Sequence, residues 1–310
     1  MTQSLFENNV EIPIEIIDNI PGVNSNVTLS IKREDLLNPL VSGNKFRKLK
    51  YNLIEAKLKD HTKILTFGGA FSNHIAAVAA AGKEFDFTTI GIIRGEELKD
   101  KISKNSTLSY AISCGMKLKF VSREVYRTKL DQHFIQALHD EFGKFYLLPE
   151  GGTNALAIKG CEEILTEAEQ QYDYICASVG TGGTLAGMIR SSQNHQQIIG
   201  FSALKGTFQN SEIKKHTAKT NFTITDTYCF GGYAKIDSQL IRFINEFHNL
   251  TGIPLDPIYT GKMMFGVTDL IKKGYFKENS RILAVHTGGL QGIHGMNEKL
   301  KKKNLPQINT

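Results

Sequence analysis

Paired cysteines are missing from this sequence. The 310-residue chain carries four, at positions 114, 161, 176 and 229, with no C-x-x-C spacing. Thiols spaced so widely read as reduced and mostly buried; a disulfide framework is excluded and no metal centre is expected. A basic, apolar leader is missing as well, because the opening MTQSLFENNVEIPIEI is polar and acidic. Long hydrophobic runs are absent. The most apolar helical stretch, HIAAVAAAG, is far shorter than the roughly 20 residues needed to cross a bilayer. No membrane partner is expected, and a cytoplasmic location is. The net charge of +6 is spread over many segments and the aromatics do not interleave with it, so nucleic acid is not an expected partner. The densest cluster, NEKLKKKNLPQ, reads as a frayed terminal helix with a charged face.

What is present fits a folded chain of one large domain or two, with 41% hydrophobic and 22% charged residues. Short apolar runs alternate with helical patterns. KILTFGG, FTTIGIIRG, KLKFVS, KFYLLPEGG, YDYICASVG, IIGFSALKG and RILAVHTGG are predicted strands. Near-continuous apolar runs that end in Gly or Ser belong in parallel sheets covered by helices, so an α/β fold is expected. Double glycines at 68–69, 151–152, 182–183 and 288–289 follow strands or open helices. Ligands bind at the carboxyl ends of parallel strands, so these loops are candidate walls of one cleft.

Three segments carry chemistry. In SGNKFRKLKYNLIEAKLKD, residues 42–60, apolar Phe46, Leu49, Leu53 and Ala56 recur at helical spacing and predict an amphipathic helix with a solvated basic face. Ser42, Gly43 and Asn44 are cap and turn residues, which puts Lys45 in the first turn. The positive end of the helix dipole disfavours an ammonium there and favours an easily deprotonated amine. Taken alone, Lys45 reads as a surface lysine. In YICASVGTGGTLAGMIR a strand ends at Val179, and Gly180, Thr181, Gly182, Gly183 and Thr184 open a helix, forming a cradle for phosphate. The dinucleotide fingerprint fails, because Leu185 stands where its last glycine belongs and no acidic residue occurs between positions 174 and 211. In LTFGGAFSNHIAAVAAAGK, Ser72, Asn73 and His74 start an alanine-rich helix that suits a small carboxylate, although plain N-capping explains Ser72 or Asn73 equally well. A phosphate loop, an amine able to form a Schiff base and a carboxylate-binding helix start together fit pyridoxal 5'-phosphate.

Six ordered motifs, SGNKFRKL, GGAFSNHIAA, EGGTNALAIKG, SVGTGGTLAG, DPIYTGKMMFG and VHTGG, run from residue 42 to about 289. They resemble those of the D-cysteine desulfhydrase and 1-aminocyclopropane-1-carboxylate deaminase family. The resemblance implies the tryptophan synthase β-like fold of pyridoxal phosphate enzymes, with two open twisted parallel-sheet domains bearing helices on both faces. It implies Lys45 as the Schiff-base lysine, Asn73 on the cofactor's 3'-oxygen and residues 180–184 on its phosphate. Ser72, Asn73 and His74 would take the substrate carboxylate, with Ser72 also catalytic. Tyr259 would lie over the substrate, and Tyr233, in CFGGYAK, matches a second active-site tyrosine.

Thr260 stands where the deaminases have glutamate and Thr287 where they have leucine; the desulfhydrases resemble this chain at both. A carboxylate facing the pyridine nitrogen keeps it protonated, whereas a hydroxyl leaves the ring a weaker electron sink. The expected reaction is therefore β-elimination on a small amino acid, D-cysteine giving pyruvate, ammonia and hydrogen sulfide, with Lys45 taking the α-proton. The alternative within the family is deamination of 1-aminocyclopropane-1-carboxylate to 2-oxobutanoate. A nicotinamide-dependent dehydrogenase and a nucleic-acid-binding protein on the same fold are the readings from other classes. The resemblance further implies a homodimer, with residues 1–49 and 149–310 forming the larger, cofactor-holding domain. Residues 50–148 would form a smaller inserted domain that carries Ser72 across the cleft.

Overall fold

The computed structural model describes residues 11–18, 26–41 and 43–309. Ser42, expected to help cap the first long helix, and residues 1–10 of the acidic opening lie outside the described residues. The chain opens with β1 (Ile14–Ile16), β2 (Thr28–Lys32) and α1 (Asn44–Leu58). It continues through β3 (Lys63–Gly69), α2 (Asn73–Phe85), β4 (Thr88–Arg94), α3 (Ser106–Ser113), β5 (Lys117–Val121), α4 (Arg123–Arg127), α5 (Gln132–Phe142) and β6 (Tyr146–Leu148). Next come α6 (Ala155–Glu162), β7 (Tyr174–Val179), α7 (Gly183–Ser191), β8 (Gln197–Ser202), α8 (Gln209–Lys214) and β9 (Phe222–Thr225). Then follow α9 (Ser238–Thr251), α10 (Thr260–Lys272), β10 (Arg281–Val285) and α11 (Gly292–Lys302).

Two sheets result, one in the order β1-β2-β10-β7-β8-β9 and one in the order β5-β4-β3-β6. Every pairing is parallel except that of β1 with β2 at one edge. The expected α/β architecture, with parallel sheets covered on both faces, is present. Along β10, Ile282 and Ala284 pack toward α9, α10 and α11, while Leu283 and Val285 pack toward α6 and α7. A strand buried on both faces must be apolar at every position, and ILAV meets that demand. The smaller sheet is covered in the same way: Ile64 of β3 joins α1, α2 and α3, and Leu65 and Phe67 join Tyr126 of α4 and Leu138 of α5.

Three strands, β1, β2 and β9, were not predicted from the apolar runs. In TLSIK the polar residues mask a buried strand, because Ser30 and Lys32 are nearly inaccessible. Lys32 is neutralised where it lies, reaching Glu169 Oε1 at 2.6 Å and the Ile164 carbonyl at 2.8 Å. β1 and β9 are short edge strands, with little sequence to carry a pattern.

The basic face of α1 also departs from expectation, being largely turned inward. Arg47 binds Glu34 at 3.0 Å, Lys50 binds Glu163 at 2.8 Å, and Lys48 is buried against the Gly151 carbonyl and Thr153 Oγ1. This inward turn follows from close helix packing. At Gly160 an added Cβ would collide with the Arg47 carbonyl, and at Gly187 one would stand 2.5 Å from Cys161 Cβ. Glycines therefore bring α6 against α1 and α7 against α6.

Candidate active site

The carboxyl ends of β3, β4, β6, β7 and β10 converge on a cavity of about 430 Å³ between the two sheets. Gly69, Gly151, Gly182, Gly288 and Gly289 all line it, so the four double-glycine loops do form walls of one cleft.

Lys45 is the second residue of α1 and reaches this cavity. The turn before it is forced by Gly43, at φ +54, where an added Cβ would collide with the Thr287 carbonyl. The Lys45 Nζ donates to Asn44 Oδ1 at 3.1 Å, and the Asn44 amide donates to Thr184 Oγ1 at 2.8 Å. Asn44 thus ties the amine to the glycine-threonine loop. Burial is the main reason that the Lys45 pKa is lowered, with Cys161 and Asp256 opposing it. One turn further on, Lys48 shares the same wall and is pushed down to about 7 by burial and then by the charge of Lys45. Among the described residues no carboxylate lies within ion-pair distance of either amine. Sequence reasoning missed Lys48; its i,i+3 relation to Lys45, which puts both on one helix face, was the available signal.

The loop of residues 180–184 meets these amines. Gly182 takes φ +90 and serves as the N-cap of α7 with no side-chain cap, so the N–H groups of the first turn are left for a ligand. Gly183 packs from behind, because a Cβ there would meet Thr153 Cγ2 at 2.8 Å. Thr181 Oγ1 lies 2.8 Å from Thr153 Oγ1, which in turn receives Lys48 at 2.9 Å. Thr153, also missed from sequence, therefore links the second lysine to the loop.

Across the cavity, Ser72 is the N-cap of α2 and accepts from Ile75 N at 3.4 Å, a long bond that holds the hydroxyl weakly. Asn73 stands beside it and lies close to Gly289. His74 is buried with Nε2 2.8 Å from Thr66 Oγ1, and Thr66 gives its own proton to the Leu148 carbonyl at 3.0 Å. Thr66 must then accept from His74, so Nε2 carries the hydrogen and Nδ1 is left as an acceptor. Burial, and then the lysines at 48 and 45, hold His74 well below its ordinary pKa and therefore neutral. A neutral imidazole whose donor is spent on Thr66 is poorly suited to a carboxylate; Ser72, Asn73 and the α2 backbone remain suited to it.

Tyr259 and Tyr233 face each other over the cavity with ring centroids 6.2 Å apart. Burial raises both phenols, Tyr259 well above its ordinary value. Tyr259 is held by Asp256, whose carboxylate accepts from the backbone N–H groups of Ile258, Tyr259 and Thr260 at 2.7–3.0 Å. Thr260 is fully buried behind the wall rather than on it. Its hydroxyl donates to Asp256 Oδ1 and accepts from Asp256 N, both at 2.9 Å. Thr287 does line the cavity, with Oγ1 3.2 Å from Ser178 Oγ on the neighbouring strand. Of the described residues given a catalytic or binding role from sequence, Gly183 and Thr260 are off the cavity wall, as are Gly68 and Gly152 of the double-glycine loops.

Two buried amines without a carboxylate, beside uncapped backbone N–H groups, fit a cofactor that brings a phosphate and an aldehyde. The family described as pyridoxal-phosphate dependent enzyme matches residues 12–288. A Pyrococcus abyssi protein provisionally named 1-aminocyclopropane-1-carboxylate deaminase is 31% identical, with 94% of this chain and 92% of its own length covered. The mitochondrial bifunctional D-cysteine desulfhydrase/1-aminocyclopropane-1-carboxylate deaminase of Arabidopsis thaliana is 28% identical over 89% of this chain and 76% of its own. A crystal structure of an ACC deaminase homologue superposes with a TM-score of 0.80 at 28% identity, covering 97% of this chain and 98% of that one. The chain belongs to the pyridoxal-phosphate dependent enzymes, in the family that holds the 1-aminocyclopropane-1-carboxylate deaminases and D-cysteine desulfhydrases.

Proposed function

We propose that the chain catalyses β-elimination on a small amino acid, with D-cysteine giving pyruvate, ammonia and hydrogen sulfide. The observation that carries this reading is the hydroxyl pair Ser178 and Thr287 on the cavity wall, while the nearby Asp256 carboxylate is taken up by the backbone N–H groups of residues 258–260 and the Thr260 hydroxyl. When bound, pyridoxal phosphate supplies an electron sink for the bond-breaking at Cα. Were these hydroxyls to face its ring nitrogen, that nitrogen would stay largely unprotonated and the sink it supplies would be modest. A modest sink suffices when a good leaving group such as a thiolate departs from Cβ; opening an unactivated cyclopropane asks more of it.

The residues then divide the work. Lys48, Thr153 and the 180–184 backbone hold the phosphate, a charge-assisted arrangement. Lys45, buried and lowered in pKa, would hold the cofactor through its aldehyde and would then move the α-proton. Ser72, Asn73 and the start of α2 orient the substrate carboxylate, and the Ser72 hydroxyl is free enough to take part in proton movement. Tyr259 and Tyr233 cover the substrate and exclude water. Residues 50–148 form the smaller unit in this reading, and its approach to the rest brings Ser72 to the substrate. The name of the Pyrococcus abyssi relative favours the competing reaction on 1-aminocyclopropane-1-carboxylate, whereas that of the Arabidopsis thaliana relative gives both reactions.

The test offers D-cysteine, L-cysteine and 1-aminocyclopropane-1-carboxylate to the purified protein while pyruvate and 2-oxobutanoate are followed separately. Pyruvate from D-cysteine alone is the expected result, and Lys45→Ala should lose the visible cofactor band and at least about a hundredfold in turnover. Formation of 2-oxobutanoate without pyruvate would establish the competing reaction instead.

A further inference from the structure

Two charged groups on the cavity wall, Arg94 and Glu150, have no part in that account. Arg94 ends β4 and lines the cavity beside the Ser72 turn, its strand position paired with Gly69. Its Nη2 lies 3.6 Å from the point where a Gly69 Cβ would stand, so the guanidinium passes directly over backbone that leads to the carboxylate-binding helix start. On its other side it rests on the Tyr126 ring, with Cζ 5.6 Å from the centroid. Glu150 is the acidic residue on the same wall, and it is paired with Lys129 at 3.1 Å. Among the described residues no hydrogen bond or ion pair engages the Arg94 guanidinium. An aromatic ring thus fixes the direction of a planar, five-donor cation without occupying its donors.

Three anion points therefore line one cavity. Lys48 with the glycine-threonine loop matches the cofactor phosphate, and the start of α2 matches the substrate α-carboxylate. Arg94 is the third, and a simple monoanionic amino acid leaves it unmatched. We propose that Arg94 is a specificity-determining residue that binds a negative charge on the β-substituent of the substrate, so that the preferred substrates are amino acids whose side chain is itself anionic. This rests on the reading that the cavity takes an amino acid, and not on which bond is broken. The Arg94 side chain stands exposed at the cavity mouth, so a bidentate guanidinium contact there discriminates for charge through its geometry and only modestly, because water refills the donors when a neutral isostere binds.

Aspartate and asparagine isolate that charge, being nearly equal in size and lacking a good leaving group. Binding of each, in both enantiomers, is measured on the cofactor-loaded protein by titrating its visible spectrum and by calorimetry. Aspartate should bind about three- to fivefold more tightly than asparagine in the better enantiomer. Arg94→Gln should bring the two to parity by weakening aspartate alone, and Arg94→Lys should keep part of the preference. Equal binding in the wild type, no measurable aspartate binding, a preference that survives Arg94→Gln, or equal losses for both ligands would each overturn the proposal. Equal losses would mean that Arg94 serves the α-carboxylate. A preference that follows Arg94 without pyruvate from D-cysteine would sink the elimination reading and leave this subsite standing; pyruvate without the preference would do the reverse.

Discussion

Lys48 and its neighbour at 45 stand on the same helix face, yet burial leaves them with different tasks. The Lys48 amine titrates at about 7 rather than its ordinary 10.5. Below pH 7 it is charged in both folded and unfolded chains. Between about 7 and 10.5 the unfolded chain holds a proton that the folded chain has released, so on this count the cofactor-free protein gains stability as pH rises through that window. Phosphate affinity runs the other way, since the binding cation is lost above pH 7. Inorganic phosphate binding to cofactor-free protein should therefore fall by up to about tenfold per pH unit above 7, and Lys48→Met should remove that fall while only reducing the stability trend, because burial also lowers Lys45 and Lys262. Denaturant melts and phosphate titrations from pH 6 to 9 check this, and a pH dependence unchanged in the variant would contradict it. Lys45 was legible in the sequence because cap residues precede it and the apolar stripe begins just after it. Lys48 was missed, because Arg47, Lys48 and Lys50 look alike as letters, and its i,i+3 relation to Lys45 marks a shared face without showing that packing buries it.

Helices α1, α6 and α7 form the element that sets the distance from the lysines to the phosphate loop. Their close approach depends on small residues at the crossings. Gly→Ala within a helix ordinarily stabilises by about 1 kcal/mol. At Gly160 the sign should reverse, because the new Cβ meets the Arg47 carbonyl in the turn between Lys45 and Lys48. We expect Gly160→Ala to cost about 1–3 kcal/mol by overpacking and to weaken cofactor binding. Gly274→Ala gives a contrast: nothing lies within 4 Å of its Cβ position, and the cost there is that of φ +66 alone. Chemical denaturation and cofactor titration of the two variants separate contact from conformation. Of the ten strands among the described residues, those announced by near-continuous apolar runs were readable. β2 was hidden because its buried lysine is neutralised by Glu169, a partner 137 residues away that no local pattern reveals. Likewise Thr260 matched a motif position, while the geometry of the Asp256 turn decides that its hydroxyl faces away from the cavity.

At the scale of the whole molecule, the larger sheet is joined across the chain. β10 lies between β2 and β7, so residues 28–32 pair with residues 281–285. Pairings so distant in sequence form slowly, because loop closure precedes their reward. On refolding from denaturant with cofactor present, the visible band should return only with the slowest phase of secondary-structure recovery. A band restored in an earlier phase would show that Lys45 and the phosphate loop assemble without β10. The carboxyl end of β10 also supplies Thr287, whose carbonyl accepts from Asn44 N at 3.2 Å and seats the turn before Lys45. On a ribosome, a nascent chain still lacking β10 would already have made its lysine helix, its phosphate loop and its carboxylate site. It would have no sheet centre to hold them in one place, so in this reading capture of the cofactor waits for β10. Until then the reactive amine has no assembled pocket in which to meet an aldehyde.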